Sequence, residues 1–261
     1  MQVQKEILEK LERAFARNLF DYAQTVRAVA PEGTPEATEC AGGVAAFTGA
    51  GSPLTCIKGA GPDIGDDDTD AAESFFRRRG AKQVVFELAP WRSEQTVDRL
   101  LRRGYTVVGT EDVVVHRGPF DAPRPLHECL EIDSATWPEV QLRVNGAPEA
   151  AEWDLLTRAA GRVRDAIRFG IVDTAGEWIA CAQVFPVGDI ALFANDATLP
   201  SARGRGAQTA MIHHRLRYIA AGNFACVAAE VAAGSTSERN YLRCGFDVSY
   251  ARSHFARPLN P

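Results

Sequence analysis

The chain of 261 residues predicts an α+β protein built from two similar halves. Three observations carry that expectation. Helix-like and strand-like runs are interleaved along the chain, and the length exceeds that of a usual single domain, so two domains are expected. The segment Leu101-Arg102-Arg103-Gly104-Tyr105-Thr106-Val107 is also close to Leu242-Arg243-Cys244-Gly245-Phe246-Asp247-Val248, each closing a short helix before a strand. Gly206 precedes Gly245 by 39 residues and Gly65 precedes Gly104 by the same interval, so loop, helix, strand, helix and glycine recur in register.

The elements read as follows. Residues 2–28 form a helix in which Ile7, Leu8, Leu11, Phe15, Leu19 and Tyr22 make one apolar stripe. Two strand-like runs lie around 43–60. Asp70 as a cap with Glu73 three residues later predicts a helix over 70–79. A strand at 82–88, a helix at 93–103 and β-branched residues between Tyr105 and His116, enough for a strand pair, complete the first half. The prolines of residues 118–125 break regular structure and mark a linker. Domains are therefore expected at 1–118 and 127–261, joined by 119–126. In the second half, residues 189–199 read as a strand running into Pro200-Ser201. Thr209, Ile212, Leu216 and Ile219 then share one helical face, and Gly222 ends that helix.

Composition bounds the function. With 46% hydrophobic and 24% charged residues the chain can bury a sizeable core. A net charge of −5 argues against a general nucleic-acid binder while leaving room for a local basic site. Residues 1–12 are charged and periodic, so no membrane association is expected, and the expected compartment is the cytoplasm. The six cysteines contain no Cys-x-x-Cys pair and read as buried free thiols. No metal is expected. His213 and His214 are adjacent and point about 100° apart on a helix. A calcium loop starting at Asp66 would need glycine and glutamate where Ala71 and Arg77 stand.

Chemistry concentrates at Arg203-Gly204-Arg205-Gly206-Ala207-Gln208, between the strand 189–199 and the helix that follows. Glycines allow close backbone approach, and the free amides of a first helical turn attract an anion such as a pyrophosphate. A Walker loop is excluded because no lysine follows Gly206. A dinucleotide fingerprint is excluded because Thr209 stands where its third glycine or alanine belongs.

This stretch resembles the acetyl-CoA loop of the GNAT superfamily of N-acetyltransferases, Arg/Gln-x-x-Gly-x-Gly/Ala, through Arg203 and Gly206; Gln208 departs from the last position. The likeness continues through 224–231, similar to the family's next strand, and through Tyr241-x-x-x-Gly245-Phe246, similar to its Tyr-x-x-x-Gly-Phe helix end. The resemblance implies two tandem GNAT-like domains, each a mixed, mostly antiparallel twisted sheet flanked by helices. In the first domain, Asp63-Ile64-Gly65-Asp66-Asp67-Asp68 replaces the arginine loop. Carboxylates there repel a pyrophosphate by more than a helix N-terminus, worth about 0.3 to 1 kcal/mol per charge, can offset. The first domain is thus a degenerate copy.

The resemblance further implies acetyl-CoA as co-substrate and transfer of its acetyl group to a primary amine of a small molecule or peptide, by direct attack in a ternary complex. A bulge would splay the strand ending at Leu199 from 224–231, and the pantetheine arm would pair with backbone at Ala197, Thr198 and Leu199. Arg203, Gly204, Arg205, Gly206, Ala207, Gln208 and Thr209 would hold the phosphates, with Asn240 also contacting the cofactor. Tyr241 is the candidate general acid and Glu230 the candidate base, with Asp196 behind it. A CoA-binding interaction module without turnover is the alternative, and a monomer or homodimer is expected.

Overall fold

The computed structural model describes residues 2–30, 35–145 and 151–259. Its elements are α1 (Gln2–Val29), β1 (Glu36–Cys40), β2 (Gly43–Phe47), β3 (Cys56–Lys58), α2 (Asp66–Arg78), β4 (Gln83–Leu88), α3 (Glu94–Arg102), β5 (Thr106–His116), β6 (Cys129–Glu131), α4 (Trp137–Asn145), α5 (Ala151–Ala160), β7 (Ile167–Val172), β8 (Trp178–Val187), β9 (Ile190–Thr198), α6 (Ala207–Ile219), β10 (Cys226–Val231), α7 (Thr236–Arg243) and β11 (Asp247–Pro258). They form two compact units, Met1–Glu111 with Tyr250–Pro261, and Asp112–Ser249.

In the first unit the strand order is β1-β2-β3-β4-β11. Neighbours are antiparallel except β3 and β4, which pair in parallel through Ile57 and Phe86. Helix α1 packs on this sheet with Leu11, Phe15, Leu19 and Tyr22 buried, while Ile7 and Leu8 are half-buried. Phe47, Ile57, Phe75, Phe76, Phe86 and Phe255 form the main core.

The second unit orders its strands β5-β10-β9-β8-β7-β6, again antiparallel except for one central parallel pair, β9 with β10. Its core joins Phe169, Val184, Phe193, Met211, Leu216 and Phe246. Each unit is thus a mixed, mostly antiparallel sheet with helices against it. The repeat is visible in the element lengths: α2 and α6 have 13 residues each, β4 and β10 have 6 each. Gly104 and Gly245 follow α3 and α7 with φ of 84° and 86°, a conformation that favours glycine.

Several elements differ from the sequence expectation. Helix α2 starts at Asp66, four residues early, because Asp66, Asp67 and Asp68 complement its N-terminal partial charge and the Gly65 amide donates to Asp68 Oδ2 at 2.8 Å. Asp70 pairs instead with Arg103. The residues expected as a strand pair form one 11-residue strand, β5, since no two-residue hairpin signal interrupts it. Strand β1 was not anticipated. The units also do not divide at 119–126, which lies inside the second unit. The chain crosses between units within β5, before the prolines, and crosses back within β11, whose Ser253–Pro258 pair with β4. Residues 250–259 therefore complete the first unit.

Candidate functional site

The site is built at the parallel strand pair of the second unit, β9 with β10. Strands β9 and β10 pair from Ile190 with Cys226 to Phe193 with Ala229, and there the ladder stops. The cause lies on the other edge of β9. Cys181 pairs with Ala197 but Gln183 with Ala194, so Asn195 and Asp196 together oppose Ala182 in a bulge. Asn195 has φ 58°, a left-handed conformation that asparagine tolerates. Past this bulge, Ala197 and Thr198 still pair with β8 through Cys181 and Ala180, and the Leu199 amide donates to the Ile179 carbonyl at 2.9 Å. The β9 edge toward β10 is left open.

The open edge leads, through a short turn at Pro200–Ala202, into the glycine loop. Gly204 and Gly206 have φ of 74° and 80°, and Gly206 is the N-cap of α6. No side chain caps this helix, so the amides of its first turn remain for a ligand. Arg203 is exposed, and its Nε donates to the Thr198 carbonyl at 3.1 Å, tying loop to strand. A cavity of about 800 Å³ runs along this surface. That volume is within the range of small-molecule sites.

Of the residues expected at the cofactor, Ala197, Thr198, Arg203, Gly204, Gly206, Ala207, Gln208, Thr209 and Asn240 line the cavity. Leu199 and Arg205 do not. Leu199 is half-buried with its amide turned to β8, and the exposed Arg205 has its carbonyl beside His127 Nε2 at 2.9 Å. The lining also includes Asp196, Asn145 and Arg243. Of these, Asn145 and Arg243 were not expected.

The two candidate catalytic residues are outside that lining. Tyr241 is 1% exposed, its ring edge-on to Phe246 at 4.9 Å. Its hydroxyl donates to Asp196 Oδ2 at 2.7 Å and accepts from Arg215 Nη2 at 3.3 Å. Arg215 has no exposed surface: it pairs with Asp196, donates to the Gln183 carbonyl at 3.1 Å and stacks on Phe193 at 4.3 Å. Burial lowers the pKa of Arg215, but Asp196 and the Tyr241 hydroxyl together raise it overall; burial pushes the Tyr241 phenol well above its ordinary value. Glu230 is half-buried on β10, opposite Val113 of β5 and just past the last paired residue. It is Asp196 that belongs both to the cavity wall and to the buried network. Arg215 was missed by the sequence reading, although an arginine at four residues from Met211, on the buried face with Leu216 and Ile219, is a signal of a buried cation.

The corresponding place in the first unit is filled. Arg99 and Arg103 pair with Asp66, Arg99 donates to the Ile64 carbonyl, and the Ile64 amide donates to Thr96 Oγ1 at 2.9 Å. One residue beyond the Ile57–Phe86 pair, Lys58 and Glu87 form a buried ion pair at 3.1 Å across the two parallel strands. Glu87, Glu111 and His254 of this unit have ligand atoms within 4.8 Å of one another, but Lys58 and Arg252 already neutralise the two carboxylates at 3.1 and 3.8 Å.

No protein-family model matches the chain, and no curated protein matches it in sequence. Its fold is nonetheless shared with solved structures. A GCN5-related N-acetyltransferase from Kribbella flavida superposes with a TM-score of 0.67 at 15% identity, over 94% of this chain and 96% of that one. A tandem GNAT protein from the clavulanic acid biosynthesis pathway gives 0.63 at 13% identity, covering 96% of both chains. A conserved protein of unknown function from Staphylococcus epidermidis gives 0.60 at 11% identity, over 80% of this chain and 87% of that one. The fold is that of the GCN5-related N-acetyltransferases in a tandem arrangement. Among the described residues no helix is long and apolar enough to cross a membrane.

Proposed function

We propose that the chain is an acetyl-CoA-dependent N-acetyltransferase acting on a primary amine of a small molecule or peptide, with the coenzyme held only by the second unit. The observation that carries this reading is one continuous surface. The unpaired edge of β9 beyond Phe193, two left-handed glycines, the uncapped start of α6 and Arg203 all border the same cavity. The strand edge suits an amide-bearing pantetheine arm, and the helix start suits a pyrophosphate. A bound thioester supplies an activated carbonyl that an amine attacks directly.

The chain's own residues then have to orient the amine and move one proton. Asp196 is the carboxylate at the cavity, kept in place by Arg215, and it can accept a proton from the amine at Oδ2. Tyr241 donates to that same oxygen and holds its proton firmly, so it acts behind Asp196, within the network that returns a proton to the sulfur. One proton leaves nitrogen and one reaches sulfur, so the site ends as it began. Glu230, on the facing strand, is the second candidate base. Six free cysteines fit the same proposal of a cytoplasmic enzyme.

The burial of Tyr241 favours a second reading, a CoA-binding module without turnover. A thermal-shift series with acetyl-CoA, longer acyl-CoAs, ATP and NAD tests the ligand, and an amine panel monitored for free CoA tests turnover. Stabilisation by ATP or NAD and not by acetyl-CoA overturns both readings. Stabilisation by acetyl-CoA with no CoA released over the panel selects the second.

A further inference from the structure

Four side chains on the α6 and α7 sides of the cavity form one hydrogen-bonded relay. Gln208 Nε2 donates to Ser237 Oγ at 2.8 Å, Asn240 Nδ2 donates to Gln208 Oε1 at 2.7 Å, and Arg243 Nη1 donates to Asn240 Oδ1 at 2.8 Å. Ser237, Asn240 and Arg243 recur every three residues and so share one face of α7, and all of them line the cavity.

The relay has three consequences. Gln208, where the acetyl-CoA loop pattern has glycine or alanine, has its amide engaged by α7 at both ends. Asn240 is likewise used at both ends of its side chain, so it ties Gln208 to Arg243. Arg243 is exposed, with one of a guanidinium's five N–H donors fixed on Asn240, so it is held toward the cavity with donors to spare. Holding an arginine in place before a ligand arrives lowers the ordering cost of binding.

The α6 N-terminus and Arg203 account for the diphosphate of a coenzyme A. Arg243 is a separate cation on the α7 side of the same cavity, and coenzyme A carries a second anionic group, the 3′-phosphate monoester. We propose that Arg243 binds this 3′-phosphate, and that the Ser237–Gln208–Asn240 relay positions it. This assignment rests on the coenzyme reading above.

Calorimetric titration of the full chain with CoA and with dephospho-CoA, which lacks only the 3′-phosphate, tests it. Arg243→Ala should weaken CoA binding roughly tenfold, equivalent to about 1.4 kcal/mol, and leave dephospho-CoA binding unchanged. Asn240→Ala should weaken CoA selectively by a smaller factor, and Arg243→Lys should retain part of the preference. Equal losses for both nucleotides, or no loss in Arg243→Ala, overturn this assignment alone. Failure of the unsubstituted protein to bind either nucleotide overturns the coenzyme reading and this assignment with it.

Discussion

The carboxylate of Asp196 is paired with the guanidinium of Arg215, which has no exposed surface. A buried arginine in this position needs its partner, because an isolated charge in the interior is far costlier than a paired one. The bulge in β9 is what brings Asp196 there. Without the extra residue opposite Ala182, side chains beyond Asn195 would alternate in the other phase.

Removing one partner of this pair should therefore destabilise the protein strongly. Asp196→Ala should cost about 3 to 5 kcal/mol, whereas Tyr241→Phe, which removes a single hydrogen-bonding group from the same network, should cost about 1 to 2 kcal/mol. Urea denaturation of the two variants checks the ordering. A cost for Asp196→Ala below about 1 kcal/mol, the value of a surface pair, would mean that Arg215 is solvated in solution.

The arginine loop makes a sharper distinction than its sequence did. Arg203 lines the cavity and is tied to Thr198, while Arg205 is exposed and outside the lining. Arg203→Glu should weaken acetyl-CoA binding at least tenfold, since it replaces an attractive charge by a repulsive one at contact distance. Arg205→Glu should act only through screened solvent, with a few-fold effect that fades in 0.5 M salt. Titrations at two salt concentrations separate the cases. Equal, salt-resistant losses would place Arg205 on the phosphates.

How much of this was legible in the sequence depends on the range over which each feature is encoded. The loop was legible because its two glycines and Arg203 are local and act locally. The repeat was legible because Gly65, Gly104, Gly206 and Gly245 all stand at helix boundaries, the last three of them with the positive φ that favours glycine. The Asp196–Arg215–Tyr241 network was not, because its members come from three elements and meet only through the bulge, which is a property of the pairing with β8. The path of β11 was hidden for the same reason. Nothing in Ser253–Pro258 names β4 as its neighbour.

Three histidines of the second unit give stability a defined pH dependence. Burial lowers the pKa of His116, His213 and His214, with Arg215 and Arg217 adding to the effect at His214 and Asp247 partly opposing it at His116. A lowered folded pKa means that the unfolded chain binds protons first. Stability from these groups is then fully present above the unfolded value, about 6.5, and is lost as pH falls through the folded values. The unfolding temperature should drop between pH 7 and pH 5, and the His214→Gln variant should show a shallower drop. An unfolding temperature that rises over this interval would contradict the burial of these rings.

The two units should differ in ligand capacity, and the reason is electrostatic as well as steric. In the first unit the loop before α2 carries Asp66, already paired with Arg99 and Arg103, and the opening between β3 and β4 is bridged by Lys58 and Glu87. A diphosphate would have to displace Asp66 from its arginines, and a pantetheine arm would have to break a buried ion pair, which costs several kcal/mol when either partner is left alone. The second unit presents Arg203 and an uncapped helix instead. Calorimetric titration with acetyl-CoA should give one site per chain. Arg203→Glu should remove or weaken that single site, and Lys58→Met should leave its affinity unchanged while lowering stability. A stoichiometry of two, or a loss of affinity in Lys58→Met at intact fold, would assign coenzyme binding to the first unit as well.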